Sequence, residues 1–397
     1  MDTAPELTDE GSHRDADGVA GRNSESAQGA GKKVRILMVA GGTGGHIFPV
    51  LAVAEELRAR SERGDENSAH YAIEFLGTRR QLEAKLIPAA GFRLHTVAAA
   101  GLKGIGGVQK LRNLLILPRT AMGVAAILRE FQPHVVVGIG GYLSGPVMLE
   151  AALVDISTVL IEPNVRPGFT NRLLAPVVRA AVVGFEETAH YYGGKAHLTG
   201  HPVREAFWAI PPKFHTPPFV VLIVGGSQGS RAINQAVVAS LPLLAGEAGR
   251  IRIIHQTGER DYNEIRKIYQ EQSLLAEACA FIEDMPGALA IADLVVSRAG
   301  ATAVSELAAA GRAGLLIPFP AATDQHQLEN ARVLERGGAA RVIVQSELTP
   351  ERLVGEIRGL LAAPDTLNAM EAAARGLARP DAAARIADLV ENLARRD

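Results

Sequence analysis

From residue 34 onward the chain repeats one pattern: a short run of continuously apolar residues, then a longer segment whose apolar residues fall three and four apart. The runs are VRILMVA (34–40), AIEFLG (72–77), HVVVGIG (134–140), STVLIE (157–162) and AAVVGF (180–185), and Val50, Leu51, Ala54 and Leu57 are typical of the segments between. Three-and-four spacing is the face of an amphipathic helix, while apolar runs without in/out alternation fit parallel strands covered by helices on both sides. The pattern therefore predicts a βαβ series. It halts at the proline-rich AIPPKFHTPP (209–218) and restarts with FVVLIVGG (219–226), RIRIIHQTG (250–258), ACAFIED (278–284), ADLVVSRAG (292–300) and GLLIPFP (314–320). Both halves open alike, since VRILMVAGGTGG and FVVLIVGGSQGS each run from strand through glycines into a helix. The expected architecture is α/β, with two Rossmann-like domains whose parallel sheets face a central cleft.

A length of 397 residues suits two domains of ordinary size. The expected division is a disordered polar tail at 1–32, a first domain at 33–199, a linker at 200–218, a second domain at 219–375, and a closing helix at 376–397 that can pack back on the first domain. With 41 basic and 43 acidic side chains the net charge is -2, so there is no global field for nucleic acid. A single cysteine, Cys279, excludes intramolecular disulfides and fits a reducing, cytosolic setting. The tail has no apolar core of a secretory signal, and no segment reads as a bilayer span.

The glycine loops narrow the ligand. A dinucleotide fingerprint counted from Gly42 needs glycine at position 47, which is Ile47, and a Walker loop counted from Gly41 needs Gly-Lys where His46 stands. GGSQGSR (225–231) matches neither pattern. What remains is the physics of a strand-to-helix junction, where backbone without Cβ atoms approaches a ligand and the N–H groups of the first turn favour an anion such as a diphosphate. The same glycines also serve simple tight turns. His46 begins the first helix, with Pro49 in its first turn. The positive helix end keeps an imidazole neutral and able to take a proton from a hydroxyl, although a loop histidine also serves to brace its own loop. In SRAGATAVSELAAAG (297–311), Thr302 and Glu306 share a helix face, where the carboxylate is either a solvated surface group or an acceptor for two vicinal ribose hydroxyls. The sole Asp-x-Asp triplet, Asp15-Ala16-Asp17, lies in the tail, so no metal or other cofactor is expected; backbone N–H groups, the Ser227 hydroxyl and Arg204 would hold the diphosphate.

Taken in order, GGTGGHIFP, GIGGYLSGP, GHPVR, VGGSQGSRAIN, FIEDM, SRAGATAVSELAAAG and DQHQLENA closely resemble the MurG family, over the chain from about residue 34 to its end. The resemblance implies a GT-B fold and metal-independent, inverting transfer of GlcNAc from UDP-GlcNAc to the C4 hydroxyl of undecaprenyl-diphospho-N-acetylmuramoyl-pentapeptide. It implies donor contacts at Thr43, Gly44, Gly45, Asn164, Arg204, Ser227, Ile282, Ala301, Thr302, Ala303, Val304, Ser305, Glu306 and Gln327, with Glu306 on the ribose. His46 matches the family's candidate base, and Tyr142 and Glu162 match acceptor-side positions. Where many members read His-Glu-Gln-Asn, this chain has Ile161-Glu162-Pro163-Asn164. A lipid-linked acceptor further implies a peripheral position on the cytoplasmic face of the bacterial inner membrane, and a place in a cell-wall synthesis complex. The segment 101–119 carries Ile105, Val108, Leu111, Leu114 and Leu115 with Lys103, Lys110, Arg112 and Arg119 and no acidic residue. By itself it reads as a core-packed amphipathic helix; with that acceptor it reads as a surface for anionic headgroups.

Overall fold

The computed structural model describes residues 33–41, 44–63, 70–78, 81–98, 117–272, 274–322 and 325–395. The tail, Thr43 and most of the 101–119 segment lie outside the described residues. The first sheet has seven parallel strands in the order β3-β2-β1-β4-β5-β6-β7. These are β1 (Val34–Val39), β2 (Tyr71–Gly77), β3 (Arg93–Thr96), β4 (Val135–Gly138), β5 (Ser157–Glu162), β6 (Ala180–Val183) and β7 (Ala196–Leu198). On one face lie α1 (Gly44–Arg63) and α2 (Gln81–Ala89), and on the other α3 (Leu117–Phe131), α4 (Gly141–Leu153) and α5 (Phe169–Leu174). Helices on both faces explain the unalternated runs: every residue of β4 and β5 is buried.

The short α6 (Glu205–Trp208) precedes the linker and the second sheet, six parallel strands in the order β10-β9-β8-β11-β12-β13. They are β8 (Phe219–Val224), β9 (Ile251–Gln256), β10 (Leu275–Cys279), β11 (Leu294–Ser297), β12 (Gly314–Leu316) and β13 (Ala340–Val342). Helices α7 (Arg231–Leu244), α8 (Glu259–Gln270) and α12 (Pro350–Leu361) cover one face, and α9 (Met285–Ile291), α10 (Ala301–Ala310) and α11 (His326–Arg336) the other. Strand order reverses at β1/β4 and again at β8/β11, so each sheet opens a crevice at the carboxyl ends of those strands. The glycine loops stand in these two crevices.

Three details depart from the sequence reading. The expected strand at 278–284 is out of place, because β10 ends at Cys279 and residues 280–284 form a loop. Three short strands, β3, β7 and β13, carry no long apolar run; β3 reads RLHT and is only half-buried. Helix α1 starts at Gly44, not at His46, so Pro49 lies inside it. A proline there cannot donate to the carbonyl four residues back, which leaves the Gly45 carbonyl without its helical partner.

The linker is bound to the second domain. Asp293, fully buried, accepts from Val220 N (2.7 Å) and His215 Nδ1 (2.9 Å) and pairs with Lys213 Nζ at 2.9 Å. After α13 (Pro364–Leu377) the chain crosses to the first domain, where α14 (Ala382–Ala394) buries Ile386, Ala387, Val390 and Leu393 in the core beside α1. Arg60 of α1 secures it through Asp388 (2.7 Å), Glu391 (3.1 Å) and the Ala384 carbonyl (2.9 Å). Ile386→Ala is expected to destabilise the first domain by about 3 kcal/mol, read as a lower urea midpoint with unchanged slope.

Candidate active site

On the first-domain wall, His46 sits in the opening turn of α1 with Nδ1 3.3 Å from the Gly41 carbonyl. A carbonyl only accepts, so Nδ1 carries the proton and Nε2 is the basic nitrogen. Burial, and secondarily the nearby His326, push the imidazole below its ordinary value, while the Gly41 bond opposes this. The ring is therefore neutral near pH 7. It lies over Gly141, where an added Cβ would come within 3.6 Å of the ring. Gly140 and Gly141 both hold positive φ, 91° and 81°, and a Cβ at Gly140 would meet the Asn171 side chain at 2.6 Å. This strand-to-helix turn needs glycine at both positions. Tyr142 follows in the first turn of α4, half-buried against the core.

Glu162 ends β5, 1% exposed. Its Oε1 accepts from Asn164 N (2.9 Å) and Asn164 Nδ2 (3.1 Å), and its Oε2 from Gly168 N (3.2 Å) and Asn171 Nδ2 (2.7 Å). Burial raises its pKa to about 7 against the pull of those donors. Such a carboxylate shapes the 163–168 loop from within. Its neighbour Ile161 faces the other way, into the apolar core with Met38 and Val137. The position occupied by histidine in many family members is thus a core position here, and the substitution removes no group from the cleft.

The second-domain wall is built around α10, whose first N–H groups have no acceptor in their own helix; the ladder starts with Val304 N to Gly300 O at 3.0 Å. Backbone N–H groups of Ala301, Thr302 and Ala303 thus form an anion-binding end. The side chain of Val304 is in the core, and Ser305 lines a separate cavity behind the helix. Beside α10, the 225–230 loop presents Ser227 to solvent. It is tightly seated: Gly229 has φ 73°, and a Cβ there would lie 1.9 Å from the Thr257 carbonyl. Gln256, 1% exposed, donates to Gly226 O (2.7 Å) and accepts from Ile282 N (3.1 Å), joining that loop to the 280–284 loop. Gln327 opens α11 and accepts from Phe319 N at 3.0 Å. Glu306 stands a turn into α10, its pKa raised to about 7 by burial and opposed by the Arg204 charge. Arg204 itself stacks over Phe48 of α1 (4.7 Å) and Phe207 (5.0 Å).

Sequence reasoning missed four residues here. Arg298, 9% exposed, donates to Ser230 Oγ and Gln345 Oε1 (both 2.7 Å) and to the carbonyls of Ile317 and Pro318, a buried cation under the second glycine loop. Gln256 joins two loops, as above. His201 Nε2 lies 3.2 Å from Thr302 Oγ1, which donates in turn to Gly45 O at 3.3 Å, the carbonyl that Pro49 leaves open. Asn330, fully buried on α11, donates to Asn164 Oδ1 (3.1 Å) and Ala299 O (3.2 Å) and accepts from Val165 N (3.0 Å). These side chains had no periodicity or charge pattern to mark them, although His201, Arg298 and Asn330 fall within motifs of the family resemblance, GHPVR, SRAGATAVSELAAAG and DQHQLENA. The last two contacts join the domains on either side of α10.

Two Rossmann-like domains that meet where Thr302 of α10 bonds Gly45 of α1, with an anion-binding helix end and a neutral histidine beside that contact, define a GT-B glycosyltransferase. Residues 36–183 match the glycosyltransferase family 28 N-terminal domain and residues 220–386 its C-terminal domain. Similar proteins include the UDP-N-acetylglucosamine--N-acetylmuramyl-(pentapeptide) pyrophosphoryl-undecaprenol N-acetylglucosamine transferases of Solibacter usitatus, 43% identical over 90% of this chain and 96% of that protein, and of Myxococcus xanthus, 41% identical over 91% and 93%. Among solved structures, MurG from Acinetobacter baumannii superposes with a TM-score of 0.70 at 30% identity, over 90% of this chain and 99% of that one. A UDP-GlcNAc 2-epimerase from Neisseria meningitidis, at 13% identity and a TM-score of 0.64, shares the fold. The chain belongs to the MurG family.

Glu162 and Glu306 both sit near 7 when folded, against an ordinary 4.5. A raised carboxyl contributes stability that is present below its unfolded value and lost as pH rises through its folded value. Glu306→Gln removes one share, so the fall in Tm between about pH 5.5 and about pH 7.5 should be smaller than in the unmodified chain.

Proposed function

We propose that the chain transfers GlcNAc from UDP-GlcNAc to the C4 hydroxyl of undecaprenyl-diphospho-N-acetylmuramoyl-pentapeptide, the step from lipid I to lipid II in peptidoglycan synthesis. The observation that carries the mechanism is the meeting of α1 and α10, where Thr302 Oγ1 lies 3.3 Å from Gly45 O. It puts a neutral imidazole beside a helix end suited to a diphosphate. UDP-GlcNAc lies along the second domain, its diphosphate on the Ala301–Ala303 N–H groups with Ser227 and Arg204 nearby and its ribose hydroxyls on Glu306. The acceptor hydroxyl attacks the anomeric carbon from the first-domain side as the bond to UDP breaks, inverting the centre. His46 Nε2 takes the hydroxyl proton, and the departing charge is held by the helix end and Arg204. Gly44 and Gly45 edge the same gap, Asn164, Ile282 and Gln327 complete the donor surround, and Tyr142 and Glu162 shape the acceptor side; Thr43, outside the described residues, is kept as a donor contact on the family resemblance alone.

Purified protein given UDP-GlcNAc and the lipid-linked acceptor should release UDP; absence of release with bound donor demonstrated would sink the transferase reading. His46→Ala should lower kcat by about 10²- to 10⁴-fold with donor affinity little changed.

Supporting a membrane-surface position, Met122, Leu153, Phe169 and Leu173 on neighbouring helices α3, α4 and α5 are 73%, 76%, 59% and 62% exposed. No described helix is long and apolar enough to cross a membrane. These apolar side chains and the cationic 101–119 segment that leads into α3 would together rest on anionic headgroups at the cytoplasmic face. Reversing Lys103 and Lys110 to Glu should weaken sedimentation with phosphatidylglycerol vesicles by about tenfold or more and leave the low binding to phosphatidylcholine unchanged. Equal binding to both lipids would argue against a headgroup role.

A further inference from the structure

The side chain of Asn330 makes three hydrogen bonds, two of them across the domain boundary. One hydrogen of its amide goes to Ala299 O, one residue before Gly300, the N-cap of α10; the other goes to Asn164 Oδ1 of the first domain; its oxygen takes Val165 N–H. No surface of the residue is exposed. A buried amide held by three hydrogen bonds in fixed directions has no second arrangement of equal energy, so a shift on one side must move or break bonds on the other.

From Asn164 the hydrogen bonds continue. Asn164 Nδ2 donates to Glu162 Oε1, and Asn171 Nδ2 donates to Glu162 Oε2 at 2.7 Å. The Asn171 amide is seated against Gly140, leaving no room for a Cβ, and the next residue, Gly141, lies under the His46 ring. A continuous series of contacts thus runs from the root of the diphosphate-binding helix end to the floor beneath the base. Asn330 itself, fully buried, need not touch donor or acceptor for it to act.

We propose that Asn330 is a positioning residue that transmits donor occupancy at the N-terminus of α10 to the 163–168 loop and the Gly140–Gly141 turn under His46. The inference rests on the functional reading above and adds a residue whose role is to align the two walls. An anion drawing on the N–H groups of Ala301–Ala303 tightens the turn that begins at Ala299, and the shared amide carries that order to Val165 and Asn164. A demonstrated two-sided response is what separates such coupling from mere proximity.

Asn330→Asp keeps an acceptor for Val165 N–H and loses both donors. It should lower kcat by about 10- to 100-fold while UDP affinity, measured by calorimetry, stays within about threefold. Combining it with Asn164→Ala should cost no more than about twofold beyond the worse single change, because the two residues act as one unit. The direct readout is hydrogen exchange: saturating UDP-GlcNAc should slow exchange at Val165 in the unmodified chain and leave it unchanged in Asn330→Asp that still binds UDP. Should Asn330→Asp fail to fold, Asn330→Ala, which removes all three bonds and buries no charge, carries the same exchange test. Exchange at Val165 that ignores bound donor in the unmodified chain, donor-dependent slowing that survives substitution of Asn330, or additive losses in kcat from Asn330→Asp and Asn164→Ala would each overturn the proposal. Failure of the unmodified chain to bind UDP at all would remove the donor site itself, and this inference with it.

Discussion

Glu162 is a carboxylate held inside the protein with only neutral donors on it, and the geometry of the cleft depends on that arrangement. Its two oxygens gather Asn164, Gly168 and Asn171. Gathering them bends the 163–168 loop so that Asn164 and the Val165 N–H face the second domain, where Asn330 meets both. Burying the charge is costly, as its raised pKa records, and the four hydrogen bonds offset that cost only if the loop keeps its shape. A loop held in one shape where it meets the second domain is the consequence.

The mouth of the cleft follows a different logic. Two helices, α1 and α10, bring their N-termini together, and each end carries a partial positive charge. Arg204 stacks on Phe48 between them, and Arg298 lies buried under the adjoining loop with carbonyl and hydroxyl partners. Like poles set face to face repel, and an anion between them removes the repulsion. A diphosphate is therefore suited to this gap by field as well as by hydrogen bonds. Burial, with repulsion from a neighbouring histidine as a second cause, keeps His46 and His201 uncharged; the pKa of His201 falls to about 3. Pro49 adds a local device: by denying Gly45 O its helical donor, it leaves an acceptor that Thr302 of the opposite domain takes up.

Much of this was legible in the residues. The long buried strands announced themselves as apolar runs, and the paired glycine loops, His46, Thr302 and Glu306 could be picked out by type and spacing. Edge strands such as β3 and β7 could not, since a strand with one neighbour and a solvent side has no need of a continuous apolar run. The loop at 280–284 misled for the opposite reason: Phe281 and Ile282 look like strand residues, yet Ile282 N–H is taken by Gln256. Asn330, Gln256 and His201 were invisible as functional residues, because an asparagine, a glutamine and a histidine have the same appearance in a sequence whether they face water or a buried amide.

The sequence by itself determined the two βαβ units, the glycine turns where no Cβ fits, and the chemistry on offer at each helix start. These are local matters, decided by apolar spacing and by the steric demands of backbone within a few residues. Only the tertiary structure decided which helix start faces which. The contact of Thr302 with Gly45, the Asn330 amide shared between domains, and the burial that makes Glu162 and Glu306 titrate near neutrality all join residues far apart in the chain. Hydrogen bonds and desolvation act over a few ångströms of space, and no spacing along the chain encodes them.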